Sequence, residues 1–450
     1  MISKLKWNNH YLLKNLELDF TKADGSIYDT IVLAGENGTG KTSILDTLAG
    51  FLDCRSIEPF ECLEYSVEGG RYRIVPETFN TNTGFHLRKD LSDIEEEPER
   101  IHTGRFGDFE RIAYDTKDLR HYGFAYSRAK SGFTTSVVSS TTTQQIDQGK
   151  YESDEEDDYT VIKQLLIDIE NQDANEWKIL SEEGNLSDQK YAAFKSRSKS
   201  FRFKNAFNTF FDNIEYKGVD DNDPVQKLVV FEKHGAHVPI DKLSTGEKQI
   251  VFRGAHLLKN TNSISGGIVL IDEPELSMHP LWQKKILNYY RGLFSAGGMQ
   301  TVQMIIATHS EYVIRSALEK SDNVLVIVLS DNNGCIDRTR ITAPGVLPSI
   351  TAAETNYMAF KAPSIDYHIE LYGYLQNKEN KTTVKDCDNF IEASSFYDAA
   401  KHSKTYTYGS TSYQTLPTYI RNAIDHPSPG ITFTEDELRC SIELLIELCK

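Results

Sequence analysis

Gly35-Glu36-Asn37-Gly38-Thr39-Gly40-Lys41-Thr42 is the stretch that decides the fold, because its glycines, lysine and hydroxyl recur at the spacing of a phosphate-cradling turn. Gly35, Gly38 and Gly40 let the backbone curl so that successive N–H groups point inward at a helix N-terminus. The predicted cradle is Gly35, Asn37, Gly38, Thr39, Gly40, Lys41, Thr42 and Ser43. Lys41 is expected to neutralise the β- and γ-phosphates of ATP and the Thr42 hydroxyl to ligate Mg2+. Upstream, Thr30-Ile31-Val32-Leu33-Ala34 is a short apolar run suited to a central parallel strand. Downstream, Ser43 to Leu52 has apolar residues at helical spacing, so the turn joins a strand to a helix.

Two later segments supply what this turn lacks. In Ile268-Val269-Leu270-Ile271-Asp272-Glu273-Pro274 four apolar residues bury a strand and deliver Asp272 to its C-terminal end, where open α/β sheets bind ligands. Asp272 is expected to hold magnesium, and Glu273 to orient and polarise an attacking water as general base. An Asp-Glu pair in an acidic chain is ordinarily a surface loop; the apolar run before it argues otherwise. Met304-Ile305-Ile306-Ala307-Thr308-His309 ends another apolar strand, and a neutral His309 beside the γ-phosphate can hold water or sense hydrolysis. Leu243-Ser244-Thr245-Gly246-Glu247-Lys248-Gln249, taken alone, is an ordinary helix N-terminus whose positive end can face a phosphate.

A chain of 450 residues allows two or three domains. With 39% hydrophobic and 26% charged residues it reads as soluble and globular. No apolar run approaches the roughly 20 residues that span a bilayer, and no signal-peptide pattern opens the sequence. The six cysteines show no CxxC pairs, so neither zinc nor a disulfide framework is indicated and a cytoplasmic location is expected. A formal charge of −17 argues against wholesale wrapping of nucleic acid. The acidic runs Asp93 to Glu99 and Glu152 to Asp158 read as solvated loops, the alternative being a surface for a basic partner. Lys190, Lys195, Arg197, Lys199, Arg202 and Lys204, interleaved with Tyr191, Phe194, Phe201 and Phe203, form the one candidate nucleic-acid patch; a solvated helix face is the plainer reading.

The predicted class is α/β, with a discontinuous head. Residues 1–90 form its N-terminal lobe and 225–345 its C-terminal lobe. Residues 91–224 are expected as an insertion with helical segments and mobile acidic and Ser/Thr-rich loops, and 346–450 as a helical module. Within that module helices are expected over Asp366 to Gln376, Asp388 to Ala400 and Thr434 to Cys449, the last opened by a Thr434/Glu437 capping box.

The segments GENGTGKT, LSTGEKQ, IVLIDEPE and ATHS resemble, in order, the Walker A, signature, Walker B and switch-histidine motifs of ATP-binding-cassette (ABC) ATPases. The resemblance covers residues 1–90 and 225–345 and implies a P-loop NTPase head. In that family the signature of one subunit closes over ATP held by another, so Ser244, Thr245, Gly246 and Glu247 are expected to serve a partner copy in a head-to-tail ATP-sandwich dimer or higher oligomer. No glutamine loop can be placed among Gln144, Gln145 and Gln164. The Glu275-Leu276-Ser277-Met278-His279-Pro280 extension resembles the SMC/Rad50/OLD-like soluble branch rather than transporter subunits. With its moderate insertion and C-terminal module, the chain is similar to the Septu-type ATPases of bacterial anti-phage defence. That implies a nuclease partner, HNH type favoured, nucleic acid as a further partner and no membrane. An SMC/RecF-like DNA-repair ATPase is the alternative within this branch.

One further motif stands apart. Arg421-Asn422-Ala423-Ile424-Asp425-His426 resembles the R-N-x-x-x-H motif of HEPN ribonucleases, which implies a second site at Arg421 and His426 on adjacent parts of one helical face. The plainer reading is two polar residues near a helix end that Pro427 stops.

Overall fold

The computed structural model describes all residues except 56, 78–84, 94–96, 104–108, 131, 155–157, 183–186, 321 and 428, so both acidic runs fall partly outside the described residues. Two compact units are present, Met1–Leu325 with Asp331–Arg338, and Val326–Ser330 with Thr339–Lys450.

A seven-stranded sheet runs in the order Cys335–Arg340, Val324–Asn332, Thr30–Gly35, Gln303–Thr308, Ile268–Asp272, Phe124–Ser127, Tyr151–Ser153, and the boundary between the units falls within the first two of these strands. Thr30–Gly35, Gln303–Thr308 and Ile268–Asp272 are buried at every position. Strands covered on both faces read as continuous apolar runs, and these do. The pairing is parallel, with Asp272 level with Ala307 and Ala307 level with Leu33. That register brings Gly35, Asp272 and His309 to one edge of the sheet. A six-stranded antiparallel sheet in the order Glu17–Asp19, Ile2–Trp7, Phe60–Val67, Gly70–Pro76, Phe85–Asp90, Glu99–His102 completes the N-terminal lobe. A three-stranded sheet, Ile214–Asp220, Leu228–Lys233 and Ala236–Pro239, leads through the turn Ile240–Lys242 into the signature segment.

The region 91–224 differs from a simple insertion. Phe124–Ser127 is an integral strand of the seven-stranded sheet, next to its edge and parallel to Ile268–Asp272, with Leu270 level with Tyr126. Four residues without a β-branched run give no strand signal of their own; the neighbouring strand sets their conformation. The Ser/Thr-rich stretch, expected to be mobile, is pinned along the helix Thr160–Glu182. Thr142 donates through its N–H (2.7 Å) and its hydroxyl to the buried Asp168, and Thr135 donates to Asp241, which also receives Lys163 at 2.7 Å.

The second unit is not wholly helical. A hairpin, Ser403–Tyr408 with Thr411–Thr415, joins the helices Ala352–Phe360, Ile365–Lys378, Val384–Glu392, Leu416–Asp425 and Glu435–Cys449. The helix expected over Asp388 to Ala400 is two shorter ones, Val384–Glu392 and Ala399–His402. The Thr434/Glu437 capping box forms. Leu371, Leu375, Ile391, Ile420, Ile442 and Leu445 are fully buried in one core.

Asp388 organises this core. Its buried carboxylate accepts the backbone N–H groups of Gln414 (3.0 Å) and Thr415 (3.0 Å), the Thr415 hydroxyl (2.8 Å) and Lys385 (3.0 Å). Asp388→Ala removes the acceptor of the buried Thr415 N–H and the half-buried Gln414 N–H, while the Thr415 hydroxyl can turn to Thr418 Oγ1 at 3.0 Å. The substitution is expected to destabilise the unit by about 2–4 kcal/mol in urea titrations, the scale of lost buried charged hydrogen bonds.

Candidate nucleotide site

The helix Lys41–Leu52 begins at Gly40, which has φ +84° and offers no side-chain cap. Its first N–H groups therefore have no side-chain acceptor of their own, the condition under which a helix start takes an anion. Gly40 has a second constraint, since a Cβ there would lie 2.5 Å from Leu13 Cδ2. Gly38, at φ +83°, has nothing within 4 Å of where a Cβ would lie, so there the left-handed backbone alone favours glycine.

Lys41 is buried, and its ammonium donates to the carbonyls of Gly35 (2.8 Å) and Glu36 (2.8 Å) and to Thr39 Oγ1 at 3.4 Å. Burial lowers its pKa to about 8, against the opposing pull of Asp272 and Glu273. Thr42 Oγ1 donates to Asp272 Oδ2 at 2.9 Å. Burial raises Asp272 to about 6, partly offset by that hydrogen bond.

Glu273 carries φ +43°, a left-handed conformation uncommon outside glycine. Its N–H donates to Ala307 O at 2.9 Å, which fixes the turn to the neighbouring strand. The carboxylate stands 3.5 Å from His309 Nε2, and both side chains are about a third exposed. Burial lowers the His309 pKa, Lys41 adds to the effect and Glu273 opposes it, so the imidazole is neutral near pH 7.

Glu275, which the sequence did not single out, supports this pair from behind. Its Oε1 accepts Thr308 Oγ1 (2.8 Å) and the His309 N–H (2.7 Å), and burial raises its pKa. The signal available was a third carboxylate two residues past Glu273, with no apolar period to assign it. Arg253 was also missed: it lies fully buried beneath the turn, donating to Asp272 O at 2.7 Å and Glu273 O at 3.0 Å.

In the signature segment Ser244 caps the helix, donating its N–H to Glu247 Oε2 (2.8 Å) and accepting the Glu247 N–H. Burial would raise Glu247, but Lys233 at 2.6 Å and the Ser244 N–H hold its pKa below the usual range. Gly246 sits against the Ser277 carbonyl, 2.9 Å from where a Cβ would lie. Ser244 and Thr245 are exposed, and among the described residues no hydrogen bond joins them to Gly35–Ser43. The structure thus brings Lys41, Thr42, Asp272, Glu273 and His309 together and leaves Ser244 and Thr245 presented outward.

The other candidates fare differently. Gln164 bonds Ser140 O and Asp168, and the strand beside Ile268–Asp272 ends at Ser127 and is followed by Arg128. Arg202 pairs with Asp147, Lys199 with Gln172, and Phe194 and Phe203 are core residues, which leaves Lys190, Tyr191, Lys195, Arg197 (4.0 Å from Glu176) and Phe201 as the exposed part of the basic cluster. The helix Leu416–Asp425 ends before His426, so Arg421 and His426 do not share a helical face. Arg421 pairs with Asp425 at 2.8 Å, while the His426 ring stacks on Tyr408 with centroids 5.6 Å apart.

The donor set fits magnesium and a nucleotide. Among the described residues no group of three or more His, Cys, Asp or Glu gathers as a metal cage. A hard cation held by one carboxylate, one hydroxyl and substrate phosphates needs no such cage. Turn, buried lysine, hydroxyl–carboxylate pair and strand order define a P-loop head of the ABC type. A family model described as "AAA domain, putative AbiEii toxin, Type IV TA system" matches residues 31–315, and the chain belongs to that family. Septu protein PtuA of Bacillus mycoides (strain KBAB4) is 22% identical over 340 residues, covering 72% of this chain and 40% of that protein. The retron Vc95 probable ATPase of Vibrio cholerae serotype O1 biovar El Tor is 24% identical over 157 residues, 33% of this chain and 29% of its own. The match thus spans about two fifths or less of these relatives. A solved SMC head bound to the C-terminal winged-helix domain of ScpA superposes with a TM-score of 0.40 and 15% identity over 76% of this chain and 98% of its own. No described helix is long and apolar enough to cross a membrane.

Proposed function

We propose that the chain binds and hydrolyses ATP with Mg2+, that two copies close head to tail around the nucleotide, and that closure regulates a nuclease in anti-phage defence. The observation that carries the reading is the convergence of Lys41, Thr42, Asp272, Glu273 and His309 at one sheet edge, with Glu273 held in a left-handed turn. Strained, over-determined backbone at a site of converging charges is a mark of chemistry.

Lys41 exchanges the Gly35 and Glu36 carbonyls for phosphate oxygens, and the uncapped N–H groups of the helix start add donors. Thr42 and Asp272 would hold magnesium, which when bound draws charge from the phosphate oxygens. Glu273 accepts the proton of the attacking water, and the neutral His309 beside it orients that water. The Ser244 hydroxyl and the helix start behind it donate hydrogen bonds to the terminal phosphate of the other copy's ATP. Contacts made only in the closed pair shift the population towards closure.

The nuclease and the defence role rest on the resemblance to Septu-type ATPases and on kinship with Septu and retron proteins. The test is co-purification with the product of the neighbouring gene, followed by nuclease assays with and without ATP. A captured HNH protein whose cleavage changes with ATP is the expected result. Cleavage by the isolated chain, lost in His426→Ala, would overturn it in favour of a self-contained ribonuclease.

A further inference from the structure

We propose that Arg253 is a positioning residue that ties the signature helix to the backbone carrying Asp272 and Glu273, so that engagement of Ser244 and Thr245 is felt at the carboxylates of the same chain. The inference deepens the ATPase reading above and rests on it.

Arg253 is fully buried, yet among the described residues it has no ion-pair partner. Its guanidinium is instead spent on five uncharged acceptors. Nε donates to Ser127 Oγ (2.8 Å), and Nη2 to Ser127 O (3.1 Å) and Asp272 O (2.7 Å). Nη1 donates to Glu273 O (3.0 Å) and Gln249 Oε1 (3.4 Å). Its charge is felt by the buried Asp272 carboxylate without an ion-pair contact, so the cation is tied to this site by charge as well as by hydrogen bonds. The planar five-donor fork of arginine reaches five acceptors on three chain segments, whereas the three donors of a lysine ammonium radiate from one atom and cannot satisfy them all.

Those three segments are informative. Ser127 ends the strand beside Ile268–Asp272, level with Ile271. Asp272 and Glu273 carry the proposed metal ligand and base. Gln249 and Arg253 bound a π-helical turn, Gln249–Arg253, between the α-helical pieces Thr245–Lys248 and Gly254–Leu258. Such turns are rare inside α-helices and concentrate at functional sites. Gln249, fully buried, also donates to Lys130 O.

The consequence falls on Glu273. Its left-handed conformation is held from two sides, by its own N–H on Ala307 O and by Arg253 on its carbonyl. Such strain persists only where the surroundings over-determine it. Without Arg253 the Glu273 carbonyl keeps only the longer Leu276 N–H contact (3.2 Å), and the carboxylate is held less firmly in its place near His309. The other end of the same helix is the exposed, rigidly capped Ser244–Thr245. A push at that end reaches Asp272 and Glu273 through nine residues of continuous helix and one side chain.

The test uses the full chain and compares wild type with Arg253→Lys, Arg253→Met and Ser127→Ala, with Glu273→Gln as inactive control. Steady-state ATP hydrolysis is read beside equilibrium binding of a fluorescent ATP analogue. Arg253→Met is expected to lower kcat about 100-fold, the scale of a displaced catalytic group, with nucleotide affinity unchanged. Arg253→Lys and Ser127→Ala, which keep a buried donor or the charge, are expected to fold as wild type does and to lower kcat less, again without a change in affinity. Unchanged kcat in these two variants, beside an inactive Glu273→Gln, would overturn the inference and leave the ATPase reading standing. A wild-type chain that neither binds nor hydrolyses ATP would overturn both.

Discussion

Glu273→Gln is expected to lower ATP turnover by about 10²–10⁴-fold, the usual contribution of a positioned general base, with nucleotide affinity intact. The substitution keeps the size of the side chain and the left-handed turn at φ +43°. The glutamine amide still reaches His309, whose ring lies 3.5 Å from the carboxylate. What it loses is the capacity to take a proton. The variant should therefore load ATP, close, and fail to reopen, and light scattering should show the ATP-bound dimer accumulating. Turnover equal to wild type would remove Glu273 from the proposed chemistry and point to a base elsewhere.

Lys41→Ala is the second large effect, and it acts on binding rather than on the chemical step. The ammonium is buried against the Gly35 and Glu36 carbonyls with its pKa lowered to about 8, so it is held ready rather than solvated. Truncating a buried, hydrogen-bonded charge of this kind costs about 2–5 kcal/mol, because the charge opposite is left unpaired. ATP affinity is expected to fall correspondingly, by tens- to thousands-fold, in equilibrium binding of a fluorescent analogue. The fold should survive, since Lys41 forms no ion pair within the described chain.

The sheet core and the chemical groups of the site were legible in the sequence, because they are written in local pattern. Thr30–Gly35, Ile268–Asp272 and Gln303–Thr308 are continuous apolar runs, and each ends in the residues that converge. The Thr434/Glu437 capping box is equally local. What escaped is written in long-range contact. Phe124–Ser127 is a strand only because Ile268–Asp272 lies beside it. The Ser/Thr-rich stretch has the composition of a mobile loop, and its anchors, Asp168 and Asp241, lie far away in sequence. Arg253 reads as one polar residue in an apolar helix, and three of its five acceptors are backbone carbonyls, which no residue identity announces. His426 was placed on a helix that stops one residue earlier, although Pro427 marked the stop.

The central claim is that one copy holds an incomplete centre and that another copy's Ser244 end completes it. The direct measurement mixes two inactive variants. Lys41→Ala keeps a sound signature segment but a disabled P-loop, and Ser244→Arg keeps a sound P-loop but a blocked signature end. Each is expected to be inactive alone, and the mixture to regain ATP hydrolysis, because mixed dimers contain one whole site. A mixture as silent as its parts, or a Ser244→Arg chain that turns over ATP at full rate as a monomer, would contradict the account.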